Sequence, residues 1–246
     1  MNYPQRISNF ILDTIFPIHC ISCGRFSPQN RRDYLCKSCL QLIHIKKQFE
    51  CIGCKKSSPL GKTCIDCRNE HWLVDNLLIV SDYKNPLLEK TIKVFKYRFV
   101  SDMADALNYL IKKYINWLVK EKKFNLAAEN PIIIPVPLHP HRLNWRGFNQ
   151  AKLIAQSLAN CFQQNIYTDI MVRTKKSKAQ ADIKEKDQRL DNPKNKFKII
   201  NTQIIKNRNI ILVDDVCTTG ATLNECARLL KESGAKKITG FVIARG

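Results

Sequence analysis

Eight cysteines in the first 70 residues form four Cys-x-x-Cys pairs, and they constrain the fold more than any other feature of the sequence. The pairs are Cys20/Cys23, Cys36/Cys39, Cys51/Cys54 and Cys64/Cys67. Each pair can present two sulfurs to one metal ion, and a second pair completes the tetrahedral set that zinc prefers. We therefore predict that residues 1–70 form a double zinc ribbon with two structural zinc ions, because four thiolate ligands leave no position open for a substrate.

The sequence leaves open which pairs share an ion. We expect sequential pairing, in which the first two pairs hold one ion and the last two hold the other, but an interleaved arrangement uses the same cysteines. A redox role for one pair is disfavoured because it leaves the other three unexplained. His19 and His44 lie near the pairs, and we do not count them as ligands since each cysteine set is already complete.

The chain is strongly basic. Its 41 Lys and Arg residues against 21 Asp and Glu give a formal net charge of +20, and both parts of the chain contribute. Such a surface favours polyanions and binds them in a salt-dependent way. The alternative is a lysine-rich proteome, in which the charge has no specific function.

The apolar runs are short. None approaches the roughly 20 residues that a membrane-spanning helix needs. The run at 10–12 is followed by Asp13 and is too short and too acidic for a signal peptide. We therefore expect a cytoplasmic protein without a membrane span, and a secreted disulfide framework is disfavoured.

After residue 70 the pattern changes to alternating strands and helices. We predict strands at 77–83, 132–136, 210–213 and 238–244, with a further candidate at 166–172. Helices are predicted to begin at Pro86 and near Asp102, and to span 149–162 and about 221–233. This alternation is typical of a parallel sheet, so residues 71–246 are predicted to form an α/β domain.

Residues 173–198 are rich in charge, with 10 Lys or Arg and 4 Asp or Glu. A segment of this composition buries little apolar surface, so we expect a mobile loop. Our candidates for contacts with DNA phosphates are its clustered basic residues Arg173, Lys175, Lys176 and Lys178. The alternative is a lid whose charge serves a phosphorylated ligand in a neighbouring site.

The segment 210–222, IILVDDVCTTGAT, is the most informative part of this half. An apolar strand leads to Asp214 and Asp215, and a loop of small and hydroxylated residues leads into a helix. Loop amides and a helix N-terminus bind anions, while the two acids suit a sugar diol or a magnesium ion. The candidate anion-binding residues are Val216, Cys217, Thr218, Thr219, Gly220, Ala221 and Thr222. An acidic strand end before an ordinary capped helix would explain a lone Asp-Asp pair, but not the whole segment.

This segment resembles the signature that type I phosphoribosyltransferases use for 5-phosphoribosyl 1-diphosphate (PRPP). Cys217 departs from it, because the family usually has an aliphatic residue there; it is either a packing residue or a reactive thiol. Together with the cysteine-rich head, other segments are similar to the ComF family of competence proteins: Lys96-Tyr97, 135–142 (PVPLHPHR), 146–151 (RGFNQA), 173–180 and 189–197.

The resemblance implies a type I phosphoribosyltransferase fold that binds PRPP or ribose 5-phosphate with magnesium. Asp214 and Asp215 would be the catalytic pair, and the other residues implied at the pyrophosphate are Leu138, His139 and Arg142. It also implies a role with incoming single-stranded DNA in natural transformation, with other competence-machinery proteins as candidate partners.

An active transferase with an unidentified nucleobase or other acceptor is the second hypothesis. Phosphoribosyltransferases read their base with an added hood segment. The chain ends at Gly246 directly after its last predicted strand, so we expect no C-terminal hood, and residues 71–125 would have to supply one.

Overall fold

A parallel sheet of four strands is the centre of the fold. The computed structural model describes residues 18–26, 34–97, 103–122, 124, 126–174 and 196–246. The strands of the sheet are β1 (Asn76–Asp82), β2 (Ile132–Pro135), β5 (Asn209–Cys217) and β6 (Lys237–Arg245), in the order β1-β6-β5-β2. Two short strands, β3 (Met171–Arg173) and β4 (Phe197–Ile199), pair antiparallel beside it. The predicted α/β fold class is confirmed.

The helices lie where apolar residues recur at helical spacing. Among the described residues they are α1 (Lys37–Gln41), α2 (Ile65–Asn69), α3 (Pro86–Tyr97), α4 (Met103–Lys122), α5 (Pro140–Arg146), α6 (Gln150–Phe162) and α7 (Ala221–Glu232). Side-chain caps fix two of the starts. The Asn85 carboxamide oxygen accepts from the amides of Leu87 and Leu88 before α3, and that of Asn149 accepts from Ala151 before α6.

Both faces of the sheet are covered, and this is why most residues of its strands are apolar. Residues of β5 alternate between two core clusters: Ile211 and Val213 pack with α4 and α6, while Ile210 and Leu212 pack with α7. The cysteine-rich segment contributes to both clusters. Leu40 and Ile43 lie on the α4 face, and Ile52 lies on the α7 face.

The cysteine-rich segment is hydrogen-bonded to β1. The amide of Lys46 donates to the carbonyl of Val80 at 2.8 Å, and the Ser81 hydroxyl donates to the carbonyl of His44 at 2.6 Å. We call each Cys-x-x-Cys turn a knuckle. Isolated antiparallel bridges flank the knuckle at Cys20 and Cys23 (His19 with Phe26) and the knuckle at Cys51 and Cys54 (Glu50 with Ser57), as in small ribbons. The boundary near residue 70 stays a prediction.

Three local expectations differ from the structure. Strand β5 continues past Val213 to Cys217, because β6 runs beside it as far as Arg245. The candidate strand at 166–172 is reduced to one bridge at Ile166 and the short β3, and the short helix α5 was not expected. The predicted loop at 173–198 begins and ends in strands, since β3 and β4 pair with each other; residues 175–195 lie outside the described part.

No helix within the described ranges is long and apolar enough to cross a membrane.

Candidate functional site

The eight N-terminal cysteines form two four-sulfur groups. The Cys20 set is Cys20, Cys23, Cys36 and Cys39, and the Cys51 set is Cys51, Cys54, Cys64 and Cys67. Within each set all sulfurs lie within 4.8 Å of one another, which is the sequential arrangement. The Sγ atoms of Cys23 and Cys36 are 3.8 Å apart, and those of Cys51 and Cys64 are 3.7 Å apart. Ligands of a tetrahedral zinc–thiolate site are separated by roughly 3.8 Å, so the donor sets fit zinc.

Backbone amides point at the sulfurs of both sets. The amide of Cys36 donates to Cys20 Sγ at 3.4 Å, and that of Cys64 donates to Cys51 Sγ at 3.5 Å. Burial disfavours the charged form of Cys20, but backbone hydrogen bonds outweigh it and lower its pKa to about 6. The same balance lowers the pKa of Cys51 to about 7, whereas burial raises that of Cys67 to about 12. Each set thus has one thiol that ionises more readily than a free cysteine, and the ionised thiolate is the form that binds metal.

Two carboxylates stand near the carboxyl end of β5. Asp214 Oδ1 accepts from the amide of Asp215 at 2.8 Å, and Asp215 Oδ1 accepts from the amide of Val216 at 2.7 Å. Lys96 Nζ lies 3.1 Å from Asp215 Oδ2. Burial, and then the charge of Asp215, raise the pKa of Asp214 to about 8, while Lys96 and Arg173 oppose the shift.

These acids line a cavity of about 150 Å³ at the carboxyl ends of β2 and β5. Thr222 in the first turn of α7 and Leu138 after β2 also line it. Four cations line the same cavity as the two acids: Lys96, Arg142, Arg146 and Arg173. One small cavity therefore holds groups that suit phosphate oxygens beside groups that suit a sugar diol or a divalent cation.

The rest of the predicted anion-binding segment lies beside this cavity but not in its wall: Val216, Cys217, Thr218, Thr219, Gly220 and Ala221. We call residues 217–221 the phosphate loop. Thr218 and Thr219 are exposed there, and Thr219 Oγ1 accepts from the amide of Ala221 at 3.3 Å. Gly220 has a φ of +84°, a left-handed conformation that favours glycine.

Two of the predicted site residues, His139 and Cys217, have structural roles. His139 caps α5, since its Nδ1 accepts from the amide of His141 at 3.2 Å. Cys217 is 3% exposed, and burial raises the pKa of its thiol to about 11. This environment favours packing over reactivity for Cys217.

Four polar or charged residues of the cavity were not predicted as site residues: Lys96, Arg146, Asn149 and Gln150. Arg146 Nη1 donates to Gln150 Oε1 at 3.2 Å, and Asn149 Nδ2 donates to the carbonyl of Val136 at 3.0 Å, so the turn before α6 is fixed against the end of β2. The Arg-Gly-Phe-Asn-Gln run was the available signal. It marked a family resemblance, but its place in the cavity becomes visible only with the fold.

A groove of about 630 Å³ adjoins the cavity and shares Pro137, Leu138, Asn149 and Arg173 with it. Its walls include the apolar side chains of Leu143, Phe148, Leu153, Met171 and Val172. Lys152 and Arg173 add positive charge, and none of the described residues that line it is acidic.

Of the four candidate DNA contacts, Arg173 is placed by the structure at this junction. Its guanidinium carbon lies 5.3 Å from the centre of the Phe197 ring, a cation–π contact. The other three, Lys175, Lys176 and Lys178, lie outside the described residues.

Comparisons with known proteins cover nearly the whole chain. Residues 106–246 match the family described as phosphoribosyl transferase domain. Competence protein F of Haemophilus influenzae is 30% identical over 87% of this chain and 97% of its own length. Competence protein ComFC of Bacillus subtilis is 29% identical over 89% of this chain and 85% of its own. DNA utilization protein YhgH of Escherichia coli (strain K12) is 30% identical over 69% of this chain and 71% of its own.

Proposed function

Since this chain belongs to the phosphoribosyl transferase domain family and to the family of competence protein F and ComFC, we propose that it is a cytoplasmic protein that binds PRPP or ribose 5-phosphate and handles incoming single-stranded DNA in natural transformation. The observation that supports the binding of PRPP or ribose 5-phosphate is the cavity at the carboxyl ends of β2 and β5, which is lined by two acids and four cations. Ligands of α/β proteins bind at this end of a parallel sheet.

The cavity divides its charges in a way that matches a phosphoribosyl compound. Asp214 and Asp215 are hydrogen-bond acceptors that suit the two ribose hydroxyls, and Thr222 lies at the start of α7, where phosphate is favoured. Arg142 and Arg146 suit the diphosphate. The acid pair is also a hard-oxygen donor set that fits magnesium, which neutralises diphosphate charge when bound.

Ligand-induced thermal stabilisation tests this proposal. PRPP with magnesium should raise the melting temperature of the parent protein, because a ligand that binds only the folded state stabilises it. Replacing both Asp214 and Asp215 by alanine should abolish the shift. A matched control replaces the exposed acids Asp105 and Asp169 by alanine, with the same change of charge and an expected shift like that of the parent. Equal shifts in the two double variants would place the ligand elsewhere.

A second candidate function is transfer of the phosphoribosyl group to a nucleobase or other acceptor. The observation that favours it is the acid pair held against Lys96 beside the cations. In this reaction the bond from the anomeric carbon to diphosphate breaks and a bond to the acceptor forms. Asp214 and Asp215 would stabilise positive charge on the ribose, and Arg142 would stabilise the departing pyrophosphate. Release of pyrophosphate from PRPP, measured against a panel of bases, tests turnover, with the Asp214/Asp215 double alanine variant as the blank.

The DNA part of the proposal is supported by the groove beside the cavity. A single strand offers planar apolar bases and a chain of phosphates, and proteins bind it with aromatic surfaces beside positive charge. Phe148 lines the groove together with Lys152 and Arg173, and Trp145, on the short helix α5 that precedes Phe148, is 56% exposed. The relatives named competence and DNA utilization proteins support the same partner.

A further inference from the structure

We infer that the Cys51 set positions the phosphate loop, so that metal in this set, and not in the Cys20 set, controls the affinity for the phosphoribosyl ligand. This inference rests on the proposed function, and it assigns positioning roles to Ile52, Trp72, Asn224 and Arg245. Each of these residues connects the Cys51 set, or the segment that follows α2, to the phosphate loop, to the end of β5 or to α7.

The side of Gly220 that carries no Cβ atom is covered by Ile52 and Trp72. A Cβ atom built on Gly220 would lie 2.9 Å from Ile52 Cγ1 and 3.0 Å from Trp72 Cζ3, so these two side chains occupy the space beside the loop. Ile52 directly follows Cys51 and is fully buried. Trp72 follows α2, and its amide donates to the carbonyl of Cys67 at 3.0 Å. Both side chains in contact with the loop are therefore held by the Cys51 set.

A buried arginine fixes the same knuckle to the sheet. Arg245 is 4% exposed and lies opposite Cys217 in the pairing of β6 with β5. Its guanidinium donates to the carbonyls of Cys51 and Ile52, and it pairs with Glu50 at 3.0 Å. The strand position where the phosphate loop begins is thus joined to the knuckle through one side chain.

Asn224 joins the other side of the loop to the segment after α2. It lies on α7, one turn after Gly220, and its Oδ1 accepts from the amide of Leu73 at 2.7 Å. Its Nδ2 donates to the carbonyl of His71 at 3.1 Å. The loop is therefore supported from the knuckle side at its start, at Gly220 and at the helix that follows.

The Cys20 set lies against the opposite face of the sheet. Cys20 and Cys39 are buried in the core cluster that contains α4 and α6, whereas Ile52 and Cys217 belong to the cluster that contains α7. Loss of metal from either set should loosen its Cys-x-x-Cys turns, because the four thiolates then lose the ion that holds them together. Only the Cys51 set would then withdraw support from amides that must be preorganised to bind phosphate.

Two matched cysteine variants test the asymmetry. Cys54→Ser and Cys23→Ser each remove one exposed ligand from one set, and each should lose about one zinc ion per chain. Titration calorimetry with PRPP and magnesium should then show a fall in affinity of about tenfold or more for Cys54→Ser and a much smaller fall for Cys23→Ser. Equal falls in the two variants would overturn the inference.

Two tryptophan variants test the contact with Gly220 while leaving the metal ligands unchanged. Trp72→Leu should keep the parent zinc content but lose PRPP affinity, because the support of Gly220 is incomplete. Trp117→Leu is the control, since Trp117 is also half-buried but stacks on Phe49 at 5.6 Å and belongs to the other core cluster. Unchanged affinity in Trp72→Leu, or the same loss in both variants, would argue against the contact.

Hydrogen exchange separates this inference from the proposed function. Without any ligand, the amides of residues 217–222 should exchange faster in Cys54→Ser and Trp72→Leu than in Cys23→Ser and Trp117→Leu. If the parent does not bind PRPP but this difference appears, the proposed function is wrong and the coupling stands. If PRPP binds and the four variants exchange alike, the coupling is wrong and the proposed function stands.

Discussion

Asp214 has surroundings very different from those of a free side chain in water. Its carboxyl is partly buried next to Asp215, and burial followed by the neighbouring charge raises its pKa to about 8. An acid that keeps its proton near neutral pH can donate a hydrogen bond to a ligand oxygen, and its ionised form can accept one from a sugar hydroxyl. The pair in the cavity thus offers both kinds of contact to a ribose.

The raised pKa predicts how the stability of the ligand-free protein depends on pH. The folded pKa lies above the unfolded value of about 3.9, so between the two values the folded state holds a proton that the unfolded state has lost. Stability therefore falls as pH rises through this interval and levels off above pH 8. Asp214→Asn cannot ionise, so between pH 6 and 8 its melting temperature should rise relative to that of the parent.

Melting curves at several pH values, without PRPP, check this expectation. The control is Asp105→Asn, which removes an exposed carboxyl from α4 and should follow the parent. Parallel curves for the parent and Asp214→Asn would mean that burial does not hold the proton on this residue.

Site residues that belong to a local sequence motif could be predicted. Site residues that reach the cavity only because distant segments pack together could not. The acid pair precedes a loop and a helix, and the cysteines are paired along the chain, so each motif carries its own signal. Lys96 reaches Asp215 from the end of α3, across more than one hundred positions of sequence. Its contribution depends on the packing of α3 against the sheet, which no local pattern specifies.

At the scale of elements, the apolar strands and periodic helices were predicted nearly to their ends. The prediction of β5 stopped at Val213 because two acids end the apolar run, whereas the hydrogen bonds to β6 continue to Cys217. Strand β4 was not predicted, and β3 was only partly covered by the candidate strand at 166–172, because three residues give too little alternation to recognise. The contacts of Ile52 and Trp72 with Gly220 could not be predicted from the sequence either, since they join segments far apart along the chain.

The knuckles themselves should depend on metal. Protein purified without added metal should contain close to two zinc ions per chain, one for each four-sulfur group. Cys36→Ser should lose about one of them, and hydrogen exchange should rise in residues 34–43 more than in β5 and β6. Helix α1 is only five residues long and cannot persist without its anchors.

Elemental analysis and hydrogen exchange measure both effects. Cys161→Ser is the control, because Cys161 lies on α6 outside both sets and should keep the full zinc content. A zinc content near zero in folded, reduced parent protein would remove this prediction.

At the scale of the whole molecule, the net charge of +20 and the position of the groove both support the proposed binding of single-stranded DNA. Positive charge attracts any polyanion over distance, but charge alone does not hold bases. The groove adds the aromatic ring of Phe148 beside Lys152 and Arg173, and it shares Arg173 with the cavity. DNA and a phosphoribosyl ligand would therefore lie side by side, with one arginine common to both sites.

We expect single-stranded DNA to bind without strong sequence preference and with a steep dependence on salt. Each phosphate that the protein neutralises releases condensed counterion, so the log–log slope of affinity against salt should be roughly −0.7 per phosphate contacted. Changing Lys175, Lys176 and Lys178 to glutamine should weaken binding and flatten this slope, since these residues cluster with Arg173 in sequence. Fluorescence anisotropy with a labelled oligonucleotide over a series of salt concentrations measures both quantities.

A control triple with the same change of charge separates a local contact from a general effect of net charge. Lys206, Arg208 and Lys236 are exposed near the starts of β5 and β6, at the end of the sheet opposite the cavity. Their replacement by glutamine should reduce affinity less and leave the slope near that of the parent. If instead both triples flatten the slope equally, DNA binds through diffuse charge. If the first triple leaves DNA binding unchanged and lowers PRPP affinity, the basic residues act as a lid over the cavity, and the DNA contact proposed for them is wrong.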